Sequence, residues 1–338
     1  VAGVNINASS SGVGGVSKVV MRGTKSIMQS SNALYVIDGV PIFSGRSTKS
    51  GGTEFDSRGS SEPIADINPE DIESMSVLTG AAAAALYGSE AANGAIVITT
   101  KKGKEGRVSI TVNSNTEFTS PFIMPRFQTR YGTGMEGVQN VSGARSWGRK
   151  LTETNYFGYS PQDDYFQTGV IATESVSFST GTEKNQTYAS AAAVNSKGIV
   201  PNNKYNRYNF TVRNTTSFLD DKMTLDFGAS YILQNDRNMT NQGTYNNPLV
   251  GAYLFPRGND WEDISMYERY DPARKIYTQY WPVGDEAMTM QNPYWVNYRN
   301  LRENKKDRYM LNANLSYQIL DWLSVSGRVR LDNSNNDY

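Results

Sequence analysis

The sequence holds neither cysteine nor histidine in its 338 residues. Disulfide frameworks, thiol nucleophiles, thiolate zinc sites and the commonest general base are therefore excluded. Excess charge is missing too. Lys plus Arg number 33 and Asp plus Glu number 33, so no basic surplus argues for a nucleic-acid partner. No segment approaches the roughly 18 consecutive apolar residues that a transmembrane helix needs. No charged and apolar leader opens the chain, and Val1 stands in Gly/Ser/Val-rich sequence that reads as an internal start. The lack of cysteine fits an oxidising compartment.

What the sequence does contain points to extended structure. Aromatic residues make up 11%, led by 21 tyrosines, among many Asn, Ser and Thr. A membrane-spanning barrel has this polar average, because only alternate residues of each strand face lipid.

The first 103 residues have a mixed grammar and predict a compact α+β domain around a small sheet. "KVVMRG" (Lys18–Gly23) and "ALYVIDGVPI" (Ala33–Ile42) read as short strands ending in turns, the second at Asp38-Gly39. In "INPEDIESMSVLTG" (Ile67–Gly80), Asn68 is placed as an N-cap, with Pro69 at the first helical position. Glu70 and Asp71 follow at the positive end of the dipole, and "SMSVL" (Ser74–Leu78) returns to strand. "VLTGAAAAALYGSEAANGAIVITTKKG" (Val77–Gly103) predicts a helix over Ala81–Tyr87, a left-handed cap at Gly88, a turn at Asn93-Gly94 and a strand over Ala95–Thr100. So short a helix is marginal alone in water, and its alanines suit close packing onto a sheet. Ser44–Ser61, rich in Gly, Ser and Thr, reads as an exposed loop.

From Arg107 the grammar changes to long alternating strands, predicted at 107–119, 170–180, 186–196, 205–219, 222–236, 307–320 and 322–335. The uncharged phase of these strands contains Leu225, Phe227, Leu311, Leu315, Val325 and Val329. Soluble sandwiches alternate as well. Strands of about 10–13 residues are nevertheless long for a globular sheet, where about 5–6 is usual, and match the roughly 9–11 needed to cross a bilayer. The links after the second, fourth and sixth strands are short ("GTEKN", "DD", "DW"), and the others are longer. Short turns on one side and long loops on the other are the pattern of an outer-membrane barrel, with the loops outside. The long loops 120–164 and 237–306 are thus expected to be extracellular. Phe118, Phe218 and Trp322, near strand ends, fit an interfacial girdle.

"LYVIDGVPI" followed by "INPEDIESMSVLTGAAAAALYGSEAANGAIVITTKKGK" resembles the plug signature of SusC/RagA-type TonB-dependent outer-membrane transporters of Bacteroidetes. "GVIATESVSFSTGTEKNQTYASAAAVNSKGIVPNNKYNRYNF" (Gly169–Phe210) is similar to their early barrel strands. "NNPLVGAYLFPR" and "QNPYW" resemble segments of their third long loop. The resemblance implies a membrane all-β fold: an α+β plug domain over 1–103, a charged linker at 104–106 within "KKGKEGR" (Lys101–Arg107), and the first strands of an antiparallel barrel over 107–338. Seven strands of about 22 cannot close a barrel, and no TonB-contacting box is visible, so the chain reads as the middle of a longer one.

The implied function is TonB-dependent active import of an oligosaccharide or peptide across the bacterial outer membrane. The plug gates the lumen, TonB acts from the periplasm, outer-membrane lipid surrounds the barrel, and a SusD-like surface lipoprotein lids it. Residues assigned to the plug motif and its gating are Asp38, Gly39, Pro41, Asn68, Pro69, Tyr87, Gly88, Asn93 and Gly94. Six rings of the third loop, Tyr253, Phe255, Trp261, Tyr280, Trp281 and Trp295, are candidates for ligand or partner contact. The plainer reading is that they pack the loop against the barrel wall.

Glu70, Asp71 and Glu73 mimic a catalytic carboxylate cluster but read as helix-start and plug-surface residues. "NDWED" (Asn259–Asp263) offers oxygen ligands without a recognised calcium spacing. No cofactor, metal site, catalytic constellation or nucleic-acid partner is expected. The alternatives are a soluble or surface β-rich binding or adhesion protein, which membrane extraction would separate, and a carbohydrate-active enzyme, disfavoured by the missing acid–base pair.

The parity of the connections makes a topological prediction. On intact cells bearing the full-length protein, added protease should cut within 120–164 or 237–306 and spare Gly181–Asn185. Cleavage in the short link with the outer membrane sealed would reverse the orientation.

Overall fold

A computed structural model describes residues 4–337, save 9–11, 16, 22, 24–30, 43–55, 58–62, 140–144, 157 and 284–289. The plug half begins with an antiparallel pair, β1 (Val4–Ala8) and β2 (Ser17–Met21). It continues with β3 (Leu34–Ile37), β4 (Val40–Ile42), β5 (Ile72–Leu78), helix α1 (Gly80–Tyr87) and β6 (Ala95–Thr100). The last four strands form one sheet in the order β4-β3-β6-β5, with β3 and β6 parallel and the outer pairs antiparallel.

Alternation explains how this sheet is covered on both faces. Leu34, Val36 and Ala95 face α1, packing with Ala83 and Ala91. Ile37, Ile96 and Ile98 face the opposite way, with Val19 and Met21 of β2. A strand buried on both sides reads as a continuous apolar run, which is why "AIVITT" does not alternate. Ala83 is fully buried, as close packing of the alanine helix requires.

The turns follow local chemistry with two differences from expectation. Asp38 and Gly39, at φ 48° and 78°, make a tight turn between β3 and β4 that needs left-handed backbone at both positions. Asn68 accepts from the Glu70 N–H at 3.3 Å, but the segment that it caps is a single 3₁₀ turn, Pro69–Asp71. Gly88 ends α1 at φ 78°, ψ −166°, a region open essentially to glycine alone, instead of the expected left-handed helical cap. The Ser44–Ser61 loop lies outside the described residues except Asp56–Ser57, whose backbone pairs with Gln242–Gly243.

The second half is dominated by one antiparallel sheet of seven strands. These are β7 (Gly106–Thr119), β8 (Gly169–Gly181), β9 (Asn185–Lys197), β10 (Lys204–Phe218) and β11 (Met223–Arg237), then β14 (Glu303–Leu320) and β15 (Leu323–Asp337). Each pairs with its sequence neighbour in this series, so the sequence alternation placed every strand. The lengths run from 13 to 18 residues, the longest being β14, which begins four residues before the predicted start at 307. No helix among the described residues is long and apolar enough to cross a membrane, which says nothing of strands.

The two phases of the sheet have different surroundings. Phe227, Leu311, Leu315, Val325 and Val329 stand exposed on the outer phase, Val329 at 73%, with Leu225 half-buried. Arg207, Arg213, Asp226, Gln234, Lys306 and Arg308, on the inner phase, are buried.

The long connections are not structureless. Between β11 and β14 lie α2 (Pro248–Leu254), α3 (Trp261–Ser265), the hairpin β12 (Glu268–Asp271)–β13 (Ile276–Gln279) and α4 (Pro293–Tyr298). Tyr159 and Tyr165 of the earlier loop join Ala252, Phe255, Trp261, Ile264 and Val283 in a single apolar core, so the two loops fold together.

Exposed apolar side chains at Phe227, Leu311, Leu315, Val325 and Val329 on the outer phase predict unequal tolerance of charge. Leu315→Arg should impair assembly of the full-length barrel, since Arg at a bilayer midplane costs about 2–4 kcal/mol. Asn314→Arg, on the inner phase, should be milder. Heat-shifted gel mobility reports assembly, and equal damage from both would contradict the assigned faces.

Candidate functional site

The plug meets the strand sheet along a seam held by charge. In the lower clasp, the Asp38 side chain accepts from the Thr100 N–H at 2.9 Å and from Thr100 Oγ1 at 2.7 Å. Arg213 of β10 donates from Nη1 to Asp38 Oδ2 at 3.1 Å, and its Nε and Nη2 bind both oxygens of Asp226 on β11 at 3.1 and 3.0 Å. Lys102 completes the cluster on Asp226 at 2.9 Å. One arginine thus ties the β3–β4 turn, the end of β6 and two barrel strands together. Arg328 also donates to the Asp38 carbonyl at 3.3 Å.

The upper clasp centres on Asp66, which is fully buried. Its Oδ2 accepts from Lys306 Nζ and Arg308 Nη1, each at 2.6 Å. Arg308 is bidentate to Asp332 at 2.9 and 2.8 Å. Arg207 donates to the Ala65 carbonyl and Asn209 to that of Asp66.

Between the clasps, Asp71 accepts from Tyr188 OH at 2.8 Å and Thr211 Oγ1 at 3.3 Å. Glu70 accepts from Asn113 Nδ2 at 2.9 Å, and Glu73 lies 3.8 Å from Lys104. The three acids therefore sit on the plug surface: Glu70 and Glu73 stay exposed while reaching a strand and the link, and only Asp71 is covered. Asp71 is buried, because the 3₁₀ turn aims it at the sheet. The link is likewise not a free solvated strap. Gly103 is buried against the backbone of Gln186 and Thr187, closer than any side chain would allow, and the Lys104 N–H donates to Ser179.

Of the expected plug-motif residues, Asp38, Gly39 and Asn68 line a common cavity of about 360 Å³ between plug and sheet. Pro69 is exposed, and Pro41 is half-buried in β4. Tyr87 packs with the Ala83 cluster, whereas Gly88, Asn93 and Gly94 form the turns that return the chain from α1 to β6. A side chain at Gly94, with φ 105°, would collide with Met21. Sequence reasoning missed Asp66, Arg213, Lys306 and Arg308. For the three cations a signal was available: like Asp226, they fall on the inner, polar phase of alternating strands.

The six loop rings divide. Phe255 and Trp261 are buried at 2% and 7%, so they build the loop core and offer no surface to a ligand. Trp261 stacks on Tyr159 at 4.2 Å and donates from Nε1 to Tyr294 OH. Tyr253, Tyr280, Trp281 and Trp295 are half-buried. Tyr280 donates to Asp263 at 2.6 Å, and this hydrogen bond pushes its hydroxyl pKa up. Arg257 lies between the rings of Phe127 and Tyr159 at 4.2 and 4.9 Å. Burial pushes the Tyr159 hydroxyl up and the Arg257 guanidinium down. In "NDWED", Asp260 caps α3 through the Glu262 N–H at 2.9 Å.

The buried clasp should be sensitive to losing one partner. Arg213→Met leaves Asp38 and Asp226 short of their cation and should cost about 3–5 kcal/mol, read as an earlier denaturant midpoint for plug release. Arg237→Met breaks an exposed pair with Glu303 and should cost no more than about 1 kcal/mol. Equal shifts would show that the seam is not held by buried charge.

A family model for the TonB-dependent receptor plug domain matches residues 1–95. The TonB-dependent receptor SusC of Bacteroides thetaiotaomicron is 27% identical over 306 residues, covering 87% of this chain and 27% of the relative. The TonB-dependent receptor P39 of Formosa agariphila is 31% identical over 249 residues, covering 72% of this chain and 21% of the relative. The chain thus spans about a quarter of the length of these relatives. Among solved structures, the RagAB peptide importer in its "open-open" state shares the fold, with a TM-score of 0.65 at 20% identity over 99% of this chain and 38% of that one. The sequence relatives, the plug match and the shared fold together make this chain the plug domain and first barrel strands of a SusC/RagA-type TonB-dependent receptor.

Proposed function

We propose that the whole protein is an outer-membrane transporter that imports a nutrient oligosaccharide or peptide. In this reading, residues 1–103 are the plug, 104–106 the linker and 107–338 barrel wall with extracellular loops. TonB supplies the pull from the periplasm, and a SusD-like lipoprotein lids the outside. The half-buried rings Tyr253, Tyr280, Trp281 and Trp295 remain the loop positions suited to ligand or partner contact. The relatives are receptors and transporters, which favours transport over catalysis or adhesion.

The observation that carries this reading is the seam. A separately cored plug is attached to the sheet by polar groups, while the outer phase of that sheet carries exposed apolar side chains such as Phe227, Leu311 and Leu315. Water can replace ion pairs and hydrogen bonds as a plug moves, so the seam can open and close again. The wall cannot open in the same way, because a strand in lipid has no other partner for its backbone. The plug is therefore the moving part, and rearrangement begins at the clasps around Asp38 and Asp66.

Joining plug to wall should stop transport alone. In the full-length protein, Asp71→Cys with Tyr188→Cys, bridged by a short bifunctional maleimide, should abolish uptake while leaving surface binding intact. Uptake at the normal rate by the bridged protein would refute a moving plug.

A further inference from the structure

The outer phase of the wall changes character toward the end that carries the long loops. Strand register shows the change rung by rung. Phe210, Tyr231 and Tyr309 stand directly opposite one another on β10, β11 and β14, and all three are exposed. Aromatic rings in such a row mark a membrane–water interface. Nearer the loops, Asn195, Asn206 and Asn235 are opposite one another on β9, β10 and β11. The next outward rung on the same three strands is Lys197, Lys204 and Arg237.

This last rung lacks its counter-charge. Like charges directly opposite on neighbouring strands destabilise a sheet, and here three meet in a row. Arg237 pairs with Glu303 of β14 at 2.5 Å. Lys197 and Lys204 are exposed and form no ion pair among the described residues. The other outer-phase charges nearby do not neutralise them. Glu174 lies opposite Ala193, two outward rungs lower. Lys305 and Asp307 stand on β14, beyond β11, opposite Asn235 and Leu233. An anion from outside the chain would relieve the repulsion.

Height selects the anion. The cations lie four residues beyond Tyr208 and six beyond Phe210 on β10, roughly 13–20 Å along the strand. At a barrel's tilt of about 40° that is about 10–15 Å of height. A phospholipid headgroup layer is only about 5–8 Å deep in each leaflet, so the rung stands above phospholipid phosphates. The amides below it suit a sugar layer, since each offers donors and an acceptor to hydroxyl groups. Tyr208 fixes one of them, donating from its hydroxyl to Asn195 Oδ1 at 3.1 Å.

We propose that Lys197, Lys204 and Arg237, with Asn195, Asn206 and Asn235 beneath them, bind the phosphorylated saccharide headgroup of an outer-leaflet glycolipid. Its phosphates meet the cations in charge-assisted hydrogen bonds, its sugars meet the amides, and its acyl chains lie against the rings and aliphatic side chains of the same strands. The inference rests on the outer-membrane reading above.

The test uses the full-length protein, purified in detergent, with retained lipopolysaccharide counted by native mass spectrometry. Lys197→Gln with Lys204→Gln should retain at least fivefold less than wild type. Lys184→Gln with Lys222→Gln removes the same charge from exposed positions in the short turns at the opposite end, and should retain as much as wild type. A second comparison needs no variant, so it stands even if the first pair fails to assemble. Added to delipidated wild type, lipopolysaccharide stripped of its phosphates, or phosphatidylglycerol, should bind at least fivefold more weakly than intact lipopolysaccharide. Equal retention by the two double variants, or equal binding of the stripped glycolipid, overturns the site. Equal binding of phosphatidylglycerol overturns the glycolipid as its occupant. A changed oligomeric state in Lys197→Gln with Lys204→Gln, without loss of glycolipid, assigns the rung to a protein contact and overturns the proposal as well. Heat-shifted gel mobility separates these failures from that of the underlying reading: full-length protein with no heat-shifted band is not a barrel, whereas an assembled barrel that binds all three lipids alike refutes the site alone.

Discussion

Arg213, with a side chain 8% exposed, binds Asp226 on the adjacent strand and Asp38 on the plug turn. A guanidinium in that position is tolerable only with its carboxylates in place, because desolvation of an unpaired ion exceeds any packing gain. The pairing therefore constrains everything near it. It sets the height of the β3–β4 turn against β10, it holds the end of β6 through Thr100, and it draws Lys102 of the link onto the same cluster. Asp66 does the same for its own 3₁₀ turn, Pro63–Asp66, against β14 and β15.

This arrangement uses the two phases of a strand for two purposes. Side chains at alternate positions point to opposite faces, so Asp226 reaches the plug while Leu225 and Phe227 point away from it. Neither face can be changed by sliding a strand one residue, since that slip would exchange the two sets. The charges that fasten the plug thus also specify the register of the wall.

Outside the sheet a different force dominates. The two long loops share an aromatic core, in which Tyr159 and Trp261 stack and Arg257 sits between Phe127 and Tyr159. Rings buried there make a folded cap from segments that neither composition nor alternation marked as ordered. The same cap leaves Tyr253, Tyr280, Trp281 and Trp295 half-buried around that core.

Periodicity and local chemistry by themselves determined the strand positions, the Asp38-Gly39 turn, the alanine helix and the division into plug and wall grammar. These depend on residues close in sequence, and the plug signature is a continuous stretch. What only the tertiary structure decided is which charges meet. Asp66 finds Lys306 and Arg308 about 240 positions away, with sequence separations of 240 and 242. Asp38 finds Arg213 across a separation of 175. No local pattern encodes such pairs, because the partner of a buried charge is set by how the plug seats against the sheet. For Phe255 and Trp261 the sequence left ligand contact and loop packing both open, for the same reason. A ring that could serve a ligand or a core looks identical in sequence, and only the packing of two distant loops assigns it to the core.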